Sequence, residues 1–154
     1  MNHYMLQWIA NNIQLPNPLI DKRIPMILTP YQRELLDTCN QMPPTIFRTK
    51  DRQVGATSAL LAWSKYMNEV ENMSVYYCVW SKPSIYHCAH ILGDFNFDVG
   101  NDPHKDTKGN RYDIGVFDEW FSNPNVTNGF FSWNSRFTHQ VYITSELPEP
   151  RLHR

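Results

Sequence analysis

The sequence contains no apolar run approaching the ~20 residues that cross a bilayer as a helix. Its N-terminus lacks a basic start, an apolar stretch and a small-residue cleavage site, so no secretory signal is expected. Cysteine is scarce. Cys39, Cys78 and Cys88 form an odd set at unpaired spacings, which argues against a disulfide framework and for a reducing cytosol. There is no charge excess: the formal net charge is -1, so the chain as a whole is not a polyanion binder. Any contact with nucleic acid must come from a local patch or a partner. No Gly-x-Ser-x-Gly elbow and no nucleophile–base pair stands out, which disfavours a triad hydrolase. There is no internal repeat and no low-complexity tract.

The 154 residues suit one domain with a single core. Hydrophobic residues make up 42% and charged residues 19%, a balance that buries a core and excludes a disordered tail. Aromatics reach 14%, enough for both packing and ring stacking.

Along the chain, Met5, Trp8, Ile9 and Ile13 fall at helical spacing in an amphipathic segment that Pro16 and Pro18 break. Thr29 and Pro30 predict the cap and first turn of a helix through Leu36, ended by Pro43-Pro44. Residues 45–49 are β-branched and aromatic and predict a short strand. A helix is expected from about Thr57 to Met73. The nearly continuous apolar run 74–80 predicts a strand buried on both faces. Pro83 opens a helix to about Leu92, and residues 93–111 are expected to form a long loop. Strands follow at 112–117 and 140–144, separated by loop with a helical turn. The order is α/β and predicts a mainly parallel sheet flanked by helices. The expected organisation is an N-terminal segment over 1–27, a core over 28–147 and a patternless tail over 148–154.

The loop after the first predicted core strand reads Lys50-Asp51-Arg52-Gln53-Val54-Gly55-Ala56-Thr57-Ser58. A phosphate-binding loop turns tightly, aims backbone N–H groups inward at a helix start, and supplies a lysine and a hydroxyl for Mg²⁺. Gly55 permits the turn and Thr57 offers the hydroxyl. Ala56, however, stands where the Gly-Lys-Ser/Thr pattern places lysine. Lys50, at the strand-to-loop junction, is long enough to curl over phosphates, and Arg52 adds a second cation. The bland reading is a glycine turn with basic surface residues. Farther on, the strand 112–117 runs into Asp118-Glu119. At the C-terminal edge of a parallel sheet an Asp holds Mg²⁺ and a neighbouring Glu orients water. Against this stand Asp113 and Gly115, which weaken the strand, and the alternative of a solvated acidic turn.

In order and spacing these segments resemble the ATPase half of tailed-bacteriophage terminase large subunits. Residues 28–36, Leu-Thr-Pro-Tyr-Gln-Arg-Glu-Leu-Leu, look like that family's adenine-recognition motif, which implies Gln32 as the adenine contact beside Tyr31. Residues 52–57 look like its Arg-Gln-x-Gly-Lys-Thr loop, and some terminases carry the lysine at the front of the loop, where Lys50 stands. Asp118-Glu119 falls at the Walker B pair. Residues 141–145 look like the motif III strand, implying Thr144 and Ser145 in coupling.

The resemblance covers 28–147 and implies an additional-strand (ASCE) P-loop ATPase binding ATP and Mg²⁺. Residues Tyr31, Gln32, Gln53, Val54, Gly55, Ala56, Thr57 and Ser58 would bind nucleotide and Thr57 with Asp118 the metal, while Lys50, Arg52 and Glu119 would be catalytic. It further implies host-cytoplasmic packaging of double-stranded DNA as a homo-oligomer on a portal, with a small terminase subunit or a separate nuclease chain. No nuclease region follows, so a truncated core, a separately encoded half and a diverged relative all remain open. The rivals are a catalytically inactive terminase-derived binding or regulatory module and a general helicase-like ATPase.

Other residues are read plainly. His87, Cys88 and His90 are expected on separate helix faces. Asp94, Asp98, Asp102 and Asp106 lack the EF-hand spacing. Arg136 is a surface arginine or a reach toward a neighbouring subunit's phosphate. Trp63, Trp80, Trp120 and Trp133 are core or interface residues.

Overall fold

A computed structural model describes residues 2–17, 19–51, 55–129 and 131–145. The chain opens with helix α1 (His3–Asn12), capped by Asn2, whose side chain accepts from the Met5 N–H. Two short strands, β1 (Gln14–Asn17) and β2 (Lys22–Pro25), then pair antiparallel. This hairpin was not expected from the prolines. It tolerates Pro16 and Pro25 because a two-stranded ribbon leaves each strand one outer edge, where a missing N–H is not needed.

Helix α2 (Pro30–Asn40) begins with a full capping box: the Gln32 N–H donates to Thr29 Oγ1, and the Thr29 N–H donates to Gln32 Oε1. Strand β3 (Thr45–Thr49), helix α3 (Ala56–Glu69), strand β4 (Val75–Cys78) and helix α4 (Lys82–Leu92) follow where the sequence places them. Helix α3 stops about a turn earlier than expected, and Asn72 turns the chain with a positive φ.

The stretch expected as one long loop holds structure: a three-residue strand β5 (Asp98–Gly100) and a one-turn helix α5 (Pro103–Asp106). Asp102 caps that turn by accepting from the Lys105 N–H. Elements this short carry no readable periodicity. Strand β6 (Tyr112–Asp118), the turn-length helix α6 (Pro124–Thr127) and strand β7 (Phe137–Thr144) follow. Strand β7 starts three residues before the predicted 140–144.

Strands β3 to β7 form one sheet in the order β3-β7-β6-β4-β5, with every neighbouring pair parallel. The chain first travels outward, β3 to β4 to β5, through α3 and α4. It then reverses, β5 to β6 to β7, through short connections. Right-handed crossovers put the connections of the two directions on opposite faces.

The packing follows that division. One face of the sheet, with Val75, Tyr77, Val116, Val141 and Ile143, packs with Leu60, Leu61 and Trp63 of α3 and with residues of α1, α2 and α4. Met5, Ile9 and Ile13 belong to this same buried cluster. The other face, with Tyr76, Phe117 and Tyr142, packs under Val126 and Trp133. No helix among the described residues is long and apolar enough to cross a membrane.

Candidate functional site

The C-terminal ends of β3, β7 and β6 lie side by side. Lys50 is the first residue beyond β3, and its N–H donates to the Thr144 carbonyl on β7 at 3.0 Å, extending the ladder by one rung. That bond fixes where the lysine side chain starts. From there it passes the end of β7 to reach Asp118, the last residue of β6. Lys50 Nζ donates to Asp118 Oδ1 at 2.8 Å and to Thr57 Oγ1 at 3.3 Å, and lies 3.5 Å from Glu119 Oε1.

Asp118 is 4% exposed and so needs every donor it has. Its Oδ2 accepts from the Thr57 hydroxyl at 2.7 Å and from the Tyr77 hydroxyl at 2.8 Å. Helix α3 delivers Thr57 as its second residue, and β4 delivers Tyr77 from the adjoining strand. Burial holds the Tyr77 phenol well above its ordinary range, and the Asp118 carboxylate pushes it the same way. The hydroxyl therefore stays a donor at any working pH. Tyr77 was read from sequence only as part of an apolar strand. A polar-tipped ring one strand away from an acidic terminus was the available signal.

Glu119 follows in the left-handed region, with φ 52 and ψ 43. A non-glycine residue held there costs roughly 1–3 kcal/mol and persists only when its surroundings over-determine it. Ser145, just past β7, supplies the restraint. Its N–H donates to Glu119 Oε1 at 2.8 Å and its hydroxyl donates to Oε2 at 2.9 Å. The two carboxylates thus leave the same strand end toward different partners.

Gly55 caps α3 with φ 75, and a Cβ there would sit 2.5 Å from Gln32 Nε2, so glycine is required by conformation and by space. Gln32 Nε2 donates to the Gly55 carbonyl at 2.9 Å while its Oε1 serves the α2 cap. An amide has two N–H groups and two lone pairs, and bonds to the described residues use one of each in Gln32. Beside it Tyr31 is half-buried, and its buried hydroxyl finds no hydrogen-bond partner among the described residues. Ala56 is 4% exposed and packs in the core, and Ser58 is half-buried on α3. Arg52, Gln53 and Val54 lie outside the described residues.

Lys50, Gly55, Thr57, Asp118 and Glu119, with the two residues expected in coupling, Thr144 and Ser145, therefore meet in one region. The other candidates do not join them. Cys88 is buried while His87 and His90 are exposed on the same helix. Asp98 accepts from Tyr112, and Asp106 from Tyr76. Arg136 is spent on the His104 carbonyl and Thr107 Oγ1. A cleft of about 620 Å³ at the far end of the same sheet edge is lined by Lys82, Tyr86, Asn101, Lys105 and Asp106. Of its two carboxylates, Asp106 accepts from Tyr76 and Asp102 caps α5, and no chemistry converges there.

The cluster suits a divalent cation on the chemistry of its donors. Thr57 Oγ1 and Asp118 Oδ1 are already bridged by a cation, the Lys50 ammonium, while Asp118 Oδ2 accepts from the Thr57 and Tyr77 hydroxyls. No family model, no curated protein and no solved structure matches this chain.

Proposed function

We propose that this chain is an ATP-binding and ATP-hydrolysing P-loop core of the additional-strand type, working in a DNA-packaging motor like that of phage terminase large subunits. One observation carries the reading. Lys50, at the front of the loop, meets Thr57 and Asp118 in a single hydrogen-bonded cluster, with one strand standing between the loop-bearing strand and the acidic one. The cluster gives the displaced lysine the reach that Ala56 lacks.

In this reading Lys50, with Arg52, neutralises the triphosphate. The N-terminus of α3 turns its free N–H groups toward it, and Gln32 and Tyr31 lie on the base side. Thr57 and Asp118 hold Mg²⁺, which when bound draws charge from the phosphate oxygens. Glu119 accepts a proton from the attacking water as its oxygen bonds to the γ-phosphorus. The bond from that phosphorus to the β–γ bridging oxygen breaks, giving ADP and phosphate. Ser145 ties that glutamate to the end of β7, which is the physical form coupling through Thr144 and Ser145 would take. Double-stranded DNA, a portal, a small terminase subunit or separate nuclease chain, self-assembly and the host cytoplasm follow from the resemblance.

The test is calorimetric titration of Mg²⁺-ATP into wild type and Lys50→Ala, each checked for folding by circular dichroism. Binding by wild type and at least a roughly tenfold loss in the variant is expected, one buried charged contact being worth that much or more. No binding by folded wild type overturns the reading. Glu119→Gln separates the enzyme from the inactive binding module. It should abolish hydrolysis and spare binding, whereas a wild type that binds without turnover leaves the module standing.

A further inference from the structure

Among the described residues three side chains donate to the Asp118 carboxylate, and they are not equivalent. Lys50 and Thr57 are the groups that the proposed nucleotide site needs elsewhere, one for phosphate and one for metal. Tyr77 is 0% exposed, and its hydroxyl has Asp118 as its hydrogen-bond partner. It has no task at the ligand. The Lys50 ammonium sits among Asp118, Thr57 and Glu119, with its side chain only 8% exposed. It therefore occupies the place, and supplies the charge, of a cation.

Resting on the nucleotide-binding reading above, we propose that Lys50 plugs the divalent-cation site until a triphosphate draws it away. Tyr77 is the positioning residue that keeps Asp118 aimed once the lysine has left. Two consequences follow. The free protein binds divalent metal poorly, because Lys50 must surrender a buried ion pair with nothing in return. A triphosphate offers the ammonium a new set of anionic oxygens and frees the carboxylate in the same movement. Metal and nucleotide then enter as a pair, and the site is not charged by metal alone.

Without Tyr77 the departure of Lys50 would leave Asp118 Oδ2 with no fixed protein donor once Thr57 turns to the metal. The carboxylate would be free to rotate. If the Tyr77 hydroxyl merely anchors the core, its removal changes stability and nothing else.

The probe is Mn²⁺ alone, followed by the loss of the free-ion signal in electron paramagnetic resonance, on the nucleotide-free full chain. Wild type and Lys50→Arg, which keeps the charge, should bind weakly. Lys50→Met should bind at least roughly tenfold more tightly, since an unpaired buried carboxylate seeks a cation. Should Lys50→Met be poorly folded, its melting temperature serves instead: it should rise with added Mn²⁺ while that of wild type does not. Tyr77→Phe should leave ATP affinity in EDTA unchanged and weaken Mn²⁺ affinity in the presence of ATP severalfold. Equal Mn²⁺ binding by wild type and Lys50→Met overturns the plug, and a Tyr77→Phe protein with wild-type metal affinity overturns the positioning role. If ATP fails to bind at all while Lys50→Met still gains Mn²⁺, the nucleotide reading falls and the lysine-plugged cation site stands.

Discussion

The two faces of the sheet are packed by different chemistry. On the face toward the four long helices the core is mostly aliphatic: Leu35, Leu36, Leu60, Leu61, Ile114, Val116, Val141 and Ile143. On the opposite face the rings of Tyr76, Tyr112, Phe117, Trp133, Phe137 and Tyr142 do the packing, with Phe47, Phe131 and Trp120 in ring contact at its margin. The topology accounts for the contrast. Outward connections are long enough to be helices, and a helix presents a surface that branched aliphatics fill. The returning connections are turns and one-turn helices, which cannot lay down such a surface. Large rings bridge the gap, and their polar tips find partners on strand β7: Trp133 Nε1 donates to the Tyr142 hydroxyl, and that hydroxyl donates to Gln140 Oε1. A parallel sheet needs both faces covered, and here aromatic side chains take the role of the second helical layer.

The most severe way to break this comparison is Trp133→Ala. The ring is 0% exposed and lies stacked 6.0 Å from Phe117, and its loss should cost about 3–5 kcal/mol. Leu60→Ala on the helical face should cost about 2–5 kcal/mol. Urea unfolding followed by circular dichroism measures both. If Trp133→Ala costs under about 1 kcal/mol, the aromatic face is a loose cover and not a core. A second transition in either variant would mean that the faces unfold separately.

A milder test uses the thiols, which sample both faces. Cys39 and Cys88 belong to the helical face and Cys78 to the aromatic one, and all three are buried. Desolvation raises Cys39 and Cys88 from 9.0 to about 12, and Cys78 is raised further. The folded protein therefore holds these protons more tightly than the unfolded chain does. This contribution to stability is whole below about pH 9 and is lost as pH climbs from 9 toward 12. Melting temperature should fall over that window. At pH 8 a disulfide reagent should label all three at the rate of unfolding, with no fast phase. A fast-labelling thiol would identify the looser face.

The sequence made the helical face and the site legible for the same reason. Periodic apolar positions in α1 and α3, the Thr29-Pro30 start of α2 and the all-buried run of β4 each have a local physical cause. Lys50 stood out through its place at a strand end and through the resemblance, and its side chain lies against Thr57 and Asp118. The aromatic face was not legible. Its rings come from β4, β6, β7 and a turn, and nothing local says that Tyr76 and Phe117, rather than Tyr77 and Val116, face away from the helices. Strand β5 and helix α5 were hidden because three or four residues carry no period. Tyr77 was missed because its partner is 41 residues away in sequence, and only the parallel register of β4 on β6 brings them together.

The smallest expected effect sharpens the edge of the comparison. Phe47 lies on β3 at the end of the sheet, 57% exposed, yet it stacks on Tyr142 with ring centroids 4.7 Å apart and 17° between planes. Half a ring of area plus one stacked pair implies that Phe47→Ala costs on the order of 1 kcal/mol in urea unfolding. That value would place the margin of the aromatic core at Tyr142, with Phe47 as a partly wet flange. A cost near 3 kcal/mol belongs to a ring that is fully covered, which the described residues do not provide. It would mean that another surface closes over β3 in solution. Concentration dependence then identifies the cover. A cost that grows with protein concentration points to a second copy, because only an association removes area in proportion to partner available. A small, concentration-independent cost leaves the exposed strand as the true boundary of the aromatic face.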